Sequence, residues 1–212
     1  MRKYSGYSPY DPPRWDLLHM NRCEIDCEGT WLVVDEQILA RPLKCISIPQ
    51  PWASLLVWHA TKHFITKWFE KTYRGTMGLH ASRYTCQESV ALAADEQVQA
   101  DFARYGLSLN SENRWERDGE ELPRGQILGV GWLDRTSRCN ETKFGKKELH
   151  YLPSPSGFAW HFSAVRENPV YVPATGERNI WEFKPSGKEK SALTGAPYVH
   201  LTPSNEPAPA TR

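Results

Sequence analysis

Residues Leu43 to Ser82 read LKCISIPQPWASLLVWHATKHFITKWFEKTYRGTMGLHAS, and this stretch decides the fold. A short apolar strand, Cys45 to Ile48, runs into a proline at position 51, which suits the start of a helix because the N–H that proline lacks would be unpaired there. A strand rich in β-branched and aromatic residues follows at Phe64 to Phe69, and Thr76 to His80 is predicted to be the next strand. The stretch therefore predicts a strand–helix–strand–strand unit.

The chain that follows adds a helix, an insertion and further strands. Thr85 to Glu88 has the form of a capping box, and an apolar stripe predicts one helix from there to the glycine at position 106. The polar segment Leu107 to Pro123 is predicted to be an exposed insertion, and 136–155 a long loop. The sum predicts an α+β fold, a small mixed-topology β-barrel with helices on its rim, whose later strands are Gln126–Asp134, Gly157–Val165 and Asn179–Phe183.

The main domain is predicted to cover residues 43–184. Residues 1–42 are too few to fold alone, so we expect an N-terminal extension that packs against the main domain. Residues 185–212 are rich in Pro, Ser, Lys and Ala, which predicts a flexible, disordered tail.

Composition excludes several classes of protein. The chain has no run of about 18 apolar residues, so no membrane span is predicted. The N-terminus has no apolar signal region, so we expect a cytoplasmic protein without a membrane partner.

The five cysteines are an odd number, which favours reduced thiols over a disulfide framework. His19, Cys23 and Cys27 are spaced by four, but a tetrahedral zinc site needs a fourth ligand. We therefore predict a helix there, and neither a metal nor a cofactor.

Charge is distributed unevenly along the chain. Leu43 to Cys86 contains six basic residues and one acidic residue, a net charge of +5, interleaved with aromatic residues. Gln87 to Pro123 contains three basic and nine acidic residues, a net charge of −6. A locally basic, aromatic surface is typical of a nucleic-acid ligand, although a solvated face balanced by the acidic helix explains the same pattern.

Several motifs in this order resemble the ASCH domain, a family of the PUA-like β-barrel superfamily. The resemblance covers about residues 43–184. The motifs are Ile48-Pro49-Gln50-Pro51-Trp52-Ala53-Ser54-Leu55, Lys62, Tyr73-Arg74-Gly75, His80-Ala81-Ser82, Pro123 to Val130, Gly157 to Trp160, and Pro173-Ala174-Thr175-Gly176 through Ile180-Trp181.

The resemblance implies RNA binding, coactivator-like protein interaction, or hydrolysis of acetylated cytidine or RNA. It places a cleft between the first helix and the barrel. A bound RNA or modified nucleotide would have its phosphates held by basic residues and a base stacked on Trp52 or Tyr73. Trp52 is equally suited to covering the core, and Trp160 to packing in it. The predicted binding residues are Gln50, Trp52, Ser54, Lys62, Lys67, Tyr73, Arg74, His80, Ser82, Arg83 and Trp160.

The chain departs from the family pattern Gly-x-Lys-x-x-Glu-x-Arg. With the lysine at Lys62, the glutamate position holds Ile65 and the arginine position holds Lys67. Isoleucine cannot transfer a proton, so binding is favoured over hydrolysis. If the chain is a hydrolase, the candidate catalytic residues are Lys62 with Thr66 or His80. A third hypothesis is a protein-interaction module that docks through residues 1–42 and the tail.

Overall fold

The computed structural model describes residues 41–66, 72–92, 94–141 and 157–194. The predictions for the N-terminal helix and its possible metal ligands, for Lys67 and for the last 18 residues lie outside these ranges. In chain order, the elements are β1 (Leu43–Ile48), α1 (Trp52–Val57), β2 (His63–Thr66), β3 (Gly75–Ala81), α2 (Gln87–Leu92), α3 (Glu96–Ala103), β4 (Leu107–Leu109), β5 (Trp115–Arg117), β6 (Glu120–Glu121), β7 (Gln126–Arg138), a 3₁₀ turn (Cys139–Glu141), β8 (Phe158–Pro173), β9 (Ile180–Phe183) and α4 (Gly187–Thr194).

Six strands form the main sheet, in the order β2-β8-β7-β3-β1-β9. β1 and β3 are parallel, and the other neighbours are antiparallel. This mixed sheet with few helices confirms the α+β class. Among the described residues no ladder joins β2 to β9, so the sheet stays open between these two edge strands and does not close into the predicted β-barrel.

Both faces of the sheet are buried around β1. Ile46 and Ile48 face the larger apolar cluster, which lies under α1, whereas Leu43 and Cys45 face a smaller cluster. This alternation follows from the two-residue period of a strand. All six residues of α1 are buried, so this short helix is held by packing rather than by its own length.

The single helix predicted from position 85 to 106 is wrong, because the structure has α2 and α3 instead. The Asp95 carboxylate accepts a hydrogen bond from the Val98 N–H at 3.2 Å, which caps the start of α3. Gly106 has φ +68°, the left-handed conformation expected after a helix. The apolar stripe continues through both helices, which is why the sequence pattern did not show the break.

The segment Leu107–Pro123 is not a wholly exposed insertion, because it forms the sheet β4-β5-β6 and contributes Leu107, Trp115 and Leu122 to the core. The Trp115 ring packs edge-on against Phe102 at 5.1 Å. Its Nε1–H donates to Ser89 Oγ at 3.1 Å, which satisfies the buried indole.

Two other boundaries differ from the prediction. β7 runs to Arg138, into the predicted loop, because it pairs with the long strand β8. Part of the predicted flexible tail forms α4, whose Leu193 is fully buried against the smaller cluster. Cys45 and Cys139 are free thiols. Within the described ranges, no helix has the length and apolar character to cross a bilayer.

Candidate nucleic-acid interface

A short loop after β3 is held in place by two neighbouring strands. The Ser82 N–H donates to the Ile48 carbonyl of β1 at 2.8 Å. The Gly125 N–H, just before β7, donates to the Ala81 carbonyl at 2.8 Å. Within the loop, the Tyr84 N–H donates to Ser82 Oγ at 3.2 Å. We call Ser82, Arg83, Tyr84 and Arg124 the arginine loop.

The arginine loop presents a cation and an aromatic ring to solvent. Arg83 is exposed, and Tyr84 is 85% exposed. Arg124 donates from Nη1 to the Arg83 carbonyl at 3.2 Å and pairs through Nη2 with Glu121 at 2.5 Å. Among the described residues no carboxylate forms an ion pair with Arg83. The loop therefore combines an uncompensated guanidinium with an accessible ring.

Gly125 lets the Arg83 side chain lie against the backbone. Its φ of +67° is a conformation that favours glycine, and a Cβ atom there would lie 2.6 Å from Arg83 Nε. The absence of a side chain at position 125 therefore leaves the space that the Arg83 side chain occupies.

Gln50 and Ser54, two of the predicted binding residues, lie buried at the start of α1. Gln50 Nε2 donates to the Pro123 carbonyl at 2.7 Å, and its Oε1 accepts a hydrogen bond from the Ser54 N–H at 3.2 Å. The side chain therefore ties the start of α1 to the segment that carries Arg124. Both polar ends of the Gln50 amide are therefore bonded to groups of the protein itself.

Neither predicted tryptophan has an exposed face. Trp52 is 5% exposed and packs edge-on against Phe102 at 6.0 Å. Trp160 is fully buried in the same cluster. The structure thus places both in the core, and a base would have to displace core side chains to stack on either ring.

Tyr73 and Arg74 lie at the opposite end of β3. The Tyr73 hydroxyl donates to the Thr76 carbonyl at 2.7 Å, and Arg74 Nη1 donates to the Tyr73 carbonyl at 2.7 Å. Lys44 lies over the Tyr73 ring at 5.8 Å and pairs with Glu182 at 3.3 Å. Both predicted residues are half-buried, so the turn exposes them less than the sequence suggested.

Lys62 is half-buried just before β2, where its carbonyl accepts a hydrogen bond from the Phe162 N–H at 3.0 Å. Its charge reaches His59, the left-handed residue (φ 60°) that follows the end of α1. Burial lowers the pKa of His59, and the positive charge of Lys62 lowers it further. Thr66 closes β2, but its side chain, like Lys67, lies outside the described part of the structure.

His80 is engaged in a buried network. Its Nδ1 lies 3.1 Å from Ser47 Oγ, and its Nε2 lies 3.2 Å from the Ala174 carbonyl, so Nε2 carries a proton. Trp181 packs edge-on against the ring at 5.4 Å and donates to Ser47 Oγ at 3.2 Å. Burial lowers the pKa of His80, the bond to Ala174 opposes this, and Arg83 lowers the pKa further. A residue so placed connects strands and does not face a cleft.

β3 separates the predicted site residues into two groups. At about 3.3 Å per residue, its seven residues span about 20 Å. Tyr73 and Arg74 lie at one end of the strand. At the other end the structure brings together Gln50, His80, Ser82 and Arg83.

Sequence reasoning identified Ser82 and Arg83 but missed Tyr84 and Arg124. Tyr84 follows Arg83 directly, between a predicted strand and a predicted capping box, so its position in a loop could be predicted from the sequence. Its exposure could not be predicted, because tyrosine is found at both buried and exposed positions. Arg124 joins the loop only through the pairing of β3 with β7.

Comparison of the chain with protein-family models and with curated protein sequences finds no match.

Proposed function

We propose that this protein binds single-stranded RNA, or an unpaired or modified nucleotide, through the arginine loop. Tyr84 stacks on one base, and Arg83 contacts the adjacent phosphate. The observation that carries the proposal is the 85% exposure of the Tyr84 ring on a backbone that two strands hold in place. Because the backbone of the loop is already held, only the side-chain torsions of Tyr84 have to be ordered when a base stacks on the ring.

An exposed tyrosine alone is common on protein surfaces. Here the ring adjoins an arginine without an ion-pair partner among the described residues, and both belong to the stretch with a net charge of +5. Aromatic stacking and phosphate contact are the two interactions by which proteins hold single-stranded nucleic acid. Their juxtaposition supports RNA binding over a merely solvated face.

The proposal includes an ASCH-type, PUA-like arrangement of this open sheet as the finer description of the fold. Two of the motifs occupy positions where their residue types are needed. Gln50 bridges the start of α1 to the segment before β7. At Gly129, a Cβ would meet the Arg166 backbone, so only glycine fits between β7 and β8 there. These placements support the resemblance in fold more than in site chemistry.

The end of α1 bears on the hydrolase hypothesis. The left-handed residue after this helix is His59, and glycine is the usual residue in that conformation. If the glycine of the family pattern is this residue, the lysine position falls on Thr61 and the glutamate position on Phe64. The alternative register has Lys62 and Ile65. Both registers leave an apolar residue where the pattern has an acid, which supports binding rather than hydrolysis.

Fluorescence anisotropy with a labelled single-stranded RNA tests the proposal. Tyr84→Ala is expected to weaken binding by about 1–3 kcal/mol, since one stacked base is lost, whereas Tyr84→Trp retains binding. Arg83→Gln is expected to reduce the slope of log affinity against log salt by about 1. Arg104→Gln is the matched control, because it removes another exposed arginine, which pairs with Asp101 outside the loop.

Equal affinity of Tyr84→Ala and the wild-type protein would refute the proposal. So would an equal loss in Arg83→Gln and Arg104→Gln, which indicates non-specific attraction. A partner that stays bound after nuclease treatment would instead support the protein-interaction hypothesis. Release of product from acetylcytidine or RNA would support the hydrolase hypothesis.

A further inference from the structure

One face of the sheet carries a polar cluster far from the arginine loop. His63 of β2 is the cross-strand partner of His161 of β8, which in turn is the partner of Arg135 of β7. Side chains at paired positions lie on the same face, and so does Ser137, two residues beyond Arg135. We call these four residues the histidine face. Trp160, which precedes His161 in β8, points to the opposite face of the sheet and packs in the larger apolar cluster.

The members of the histidine face are close together. Ser137 Oγ lies 2.6 Å from His161 Nε2, and the His63 and His161 rings meet edge-on with centroids 4.5 Å apart. His161 is 7% exposed, Arg135 is exposed, and His63 and Ser137 are half-buried. Arg135, His63 and Ser137 therefore keep accessible surface beside the buried imidazole.

The charge on this face is positive. Burial lowers the pKa of His161 to about 3, and the nearby His63 and Arg135 add to that shift. No carboxylate in the described part of the chain forms an ion pair with Arg135. An anion bound here would be attracted by Arg135 and would offset the part of the pKa shift of His161 that the neighbouring cations cause.

We propose that the histidine face binds a phosphoryl group. The planar guanidinium of Arg135 can donate two hydrogen bonds to two oxygens of a phosphate. The Ser137 hydroxyl of the same strand and the imidazoles of two more strands lie beside it. Side chains arriving from three strands match an oxyanion with three acceptor oxygens better than they match a carboxylate with two. This site does not depend on the proposed function, because it lies nearer the opposite end of β3 from the arginine loop.

Titration of the protein with inorganic phosphate, followed by NMR of the imidazole nitrogens, tests the proposal. Chloride replaces phosphate at constant ionic strength in the reference series. We expect saturable shifts of the His161 resonances and a higher apparent pKa of His161 when phosphate is bound. Arg135→Gln is expected to raise the dissociation constant at least about tenfold, because a charge-assisted hydrogen-bond pair is lost.

Arg138→Gln is the matched control. Arg138 lies on the same strand, one position beyond Ser137 and therefore on the other face, where it contacts the Phe158 ring at 5.7 Å. This variant is expected to bind phosphate as the wild type does. Absence of saturable shifts, or equal weakening in both variants, would overturn the proposal. Ser137→Ala provides a second test with little risk to the fold, and unchanged affinity there would remove the hydroxyl from the site.

Adenosine monophosphate and adenosine identify the source of the phosphoryl group. Tighter binding of the nucleotide than of phosphate, with no binding of adenosine, assigns the site to a phosphate monoester. Equal binding of nucleotide and phosphate assigns it to free phosphate. Shifts of His161 caused by adenosine alone would overturn the phosphoryl assignment. Arg83→Gln leaves every one of these titrations unchanged if the two sites are independent.

Discussion

His80 connects three parts of the fold through one imidazole. It bonds Ser47 of β1 and the Ala174 carbonyl after β8, while its ring packs against Trp181 of β9. Gly176 lies against this network. A Cβ at Gly176 would meet His80 Cε1 and would lie 2.5 Å from Ser47 Oγ. The absence of a side chain at Gly176 is therefore a packing requirement, since neither neighbour is a flexible chain end.

Gly176→Ala is expected to lower the free energy of unfolding by about 1–3 kcal/mol, the usual cost of overpacking a well-filled site. Urea unfolding measures the change. Gly187→Ala is the matched control, because nothing lies within 4 Å of a Cβ there and the residue begins α4. That substitution should be neutral or slightly stabilising. Equal effects at the two glycines would show that the His80 network tolerates an added methyl group.

Several residue types at the predicted site occur both in binding clefts and in protein cores, which is why the site was only partly predictable from the sequence. Gln50, Trp52 and His80 each suit both a binding cleft and a buried structural position. The sequence shows the residue types but not which polar atoms find partners inside the protein. Here Gln50 finds Pro123, and His80 finds Ala174, both far along the chain. Ser82 and Arg83 were predictable, because a loop directly after a strand is exposed in most folds.

Among the helices, Asp95 lies between α2 and α3 and marks the start of α3. Its carboxylate caps the first turn of α3 by accepting the Val98 N–H at 3.2 Å. Asp95→Ala is expected to lower the free energy of unfolding by about 1 kcal/mol, the typical cost of losing such a cap. Asp95→Asn should change it little, since asparagine caps a helix as well as aspartate does. Chemical denaturation of both variants checks this, and equal losses would show that charge rather than capping matters at this position.

The strands followed the sequence more closely than the helices did. β1 and β3 were predicted within two residues at each end, because alternating or continuous apolar runs mark strands that are buried. The lengths of β7 and β8 were not predictable. Each strand continues because the other supplies hydrogen-bond partners, from Gln126 opposite Pro173 to Arg138 opposite Phe158. Such mutual extension is a tertiary effect that no local pattern records.

Across the whole molecule, the pKa values of three histidines are lowered by the same two causes. Burial lowers the pKa values of His59, His80 and His161, and a nearby cation lowers each further. A histidine whose folded pKa lies below its unfolded value of 6.5 is held neutral by the fold. Its contribution to stability is fully present above pH 6.5 and is lost as the pH falls through the folded pKa. For His161 this window runs from 6.5 to about 3.

We therefore expect the free energy of unfolding to decline as the pH falls below 6.5, by up to about 1.4 kcal/mol per pH unit for each histidine held neutral. His161→Gln keeps a hydrogen-bonding side chain beside Ser137 but cannot titrate. Between pH 6.5 and 5, before most carboxylates protonate, this variant should lose about 2 kcal/mol less than the wild type. Urea unfolding in phosphate-free buffers at constant ionic strength measures both slopes. Phosphate must be left out, since binding at the histidine face would itself stabilise the fold. Parallel slopes would mean that His161 is as easily protonated in the folded chain as in the unfolded one, and the lowering of its pKa by burial and by the neighbouring His63 and Arg135 would then be wrong.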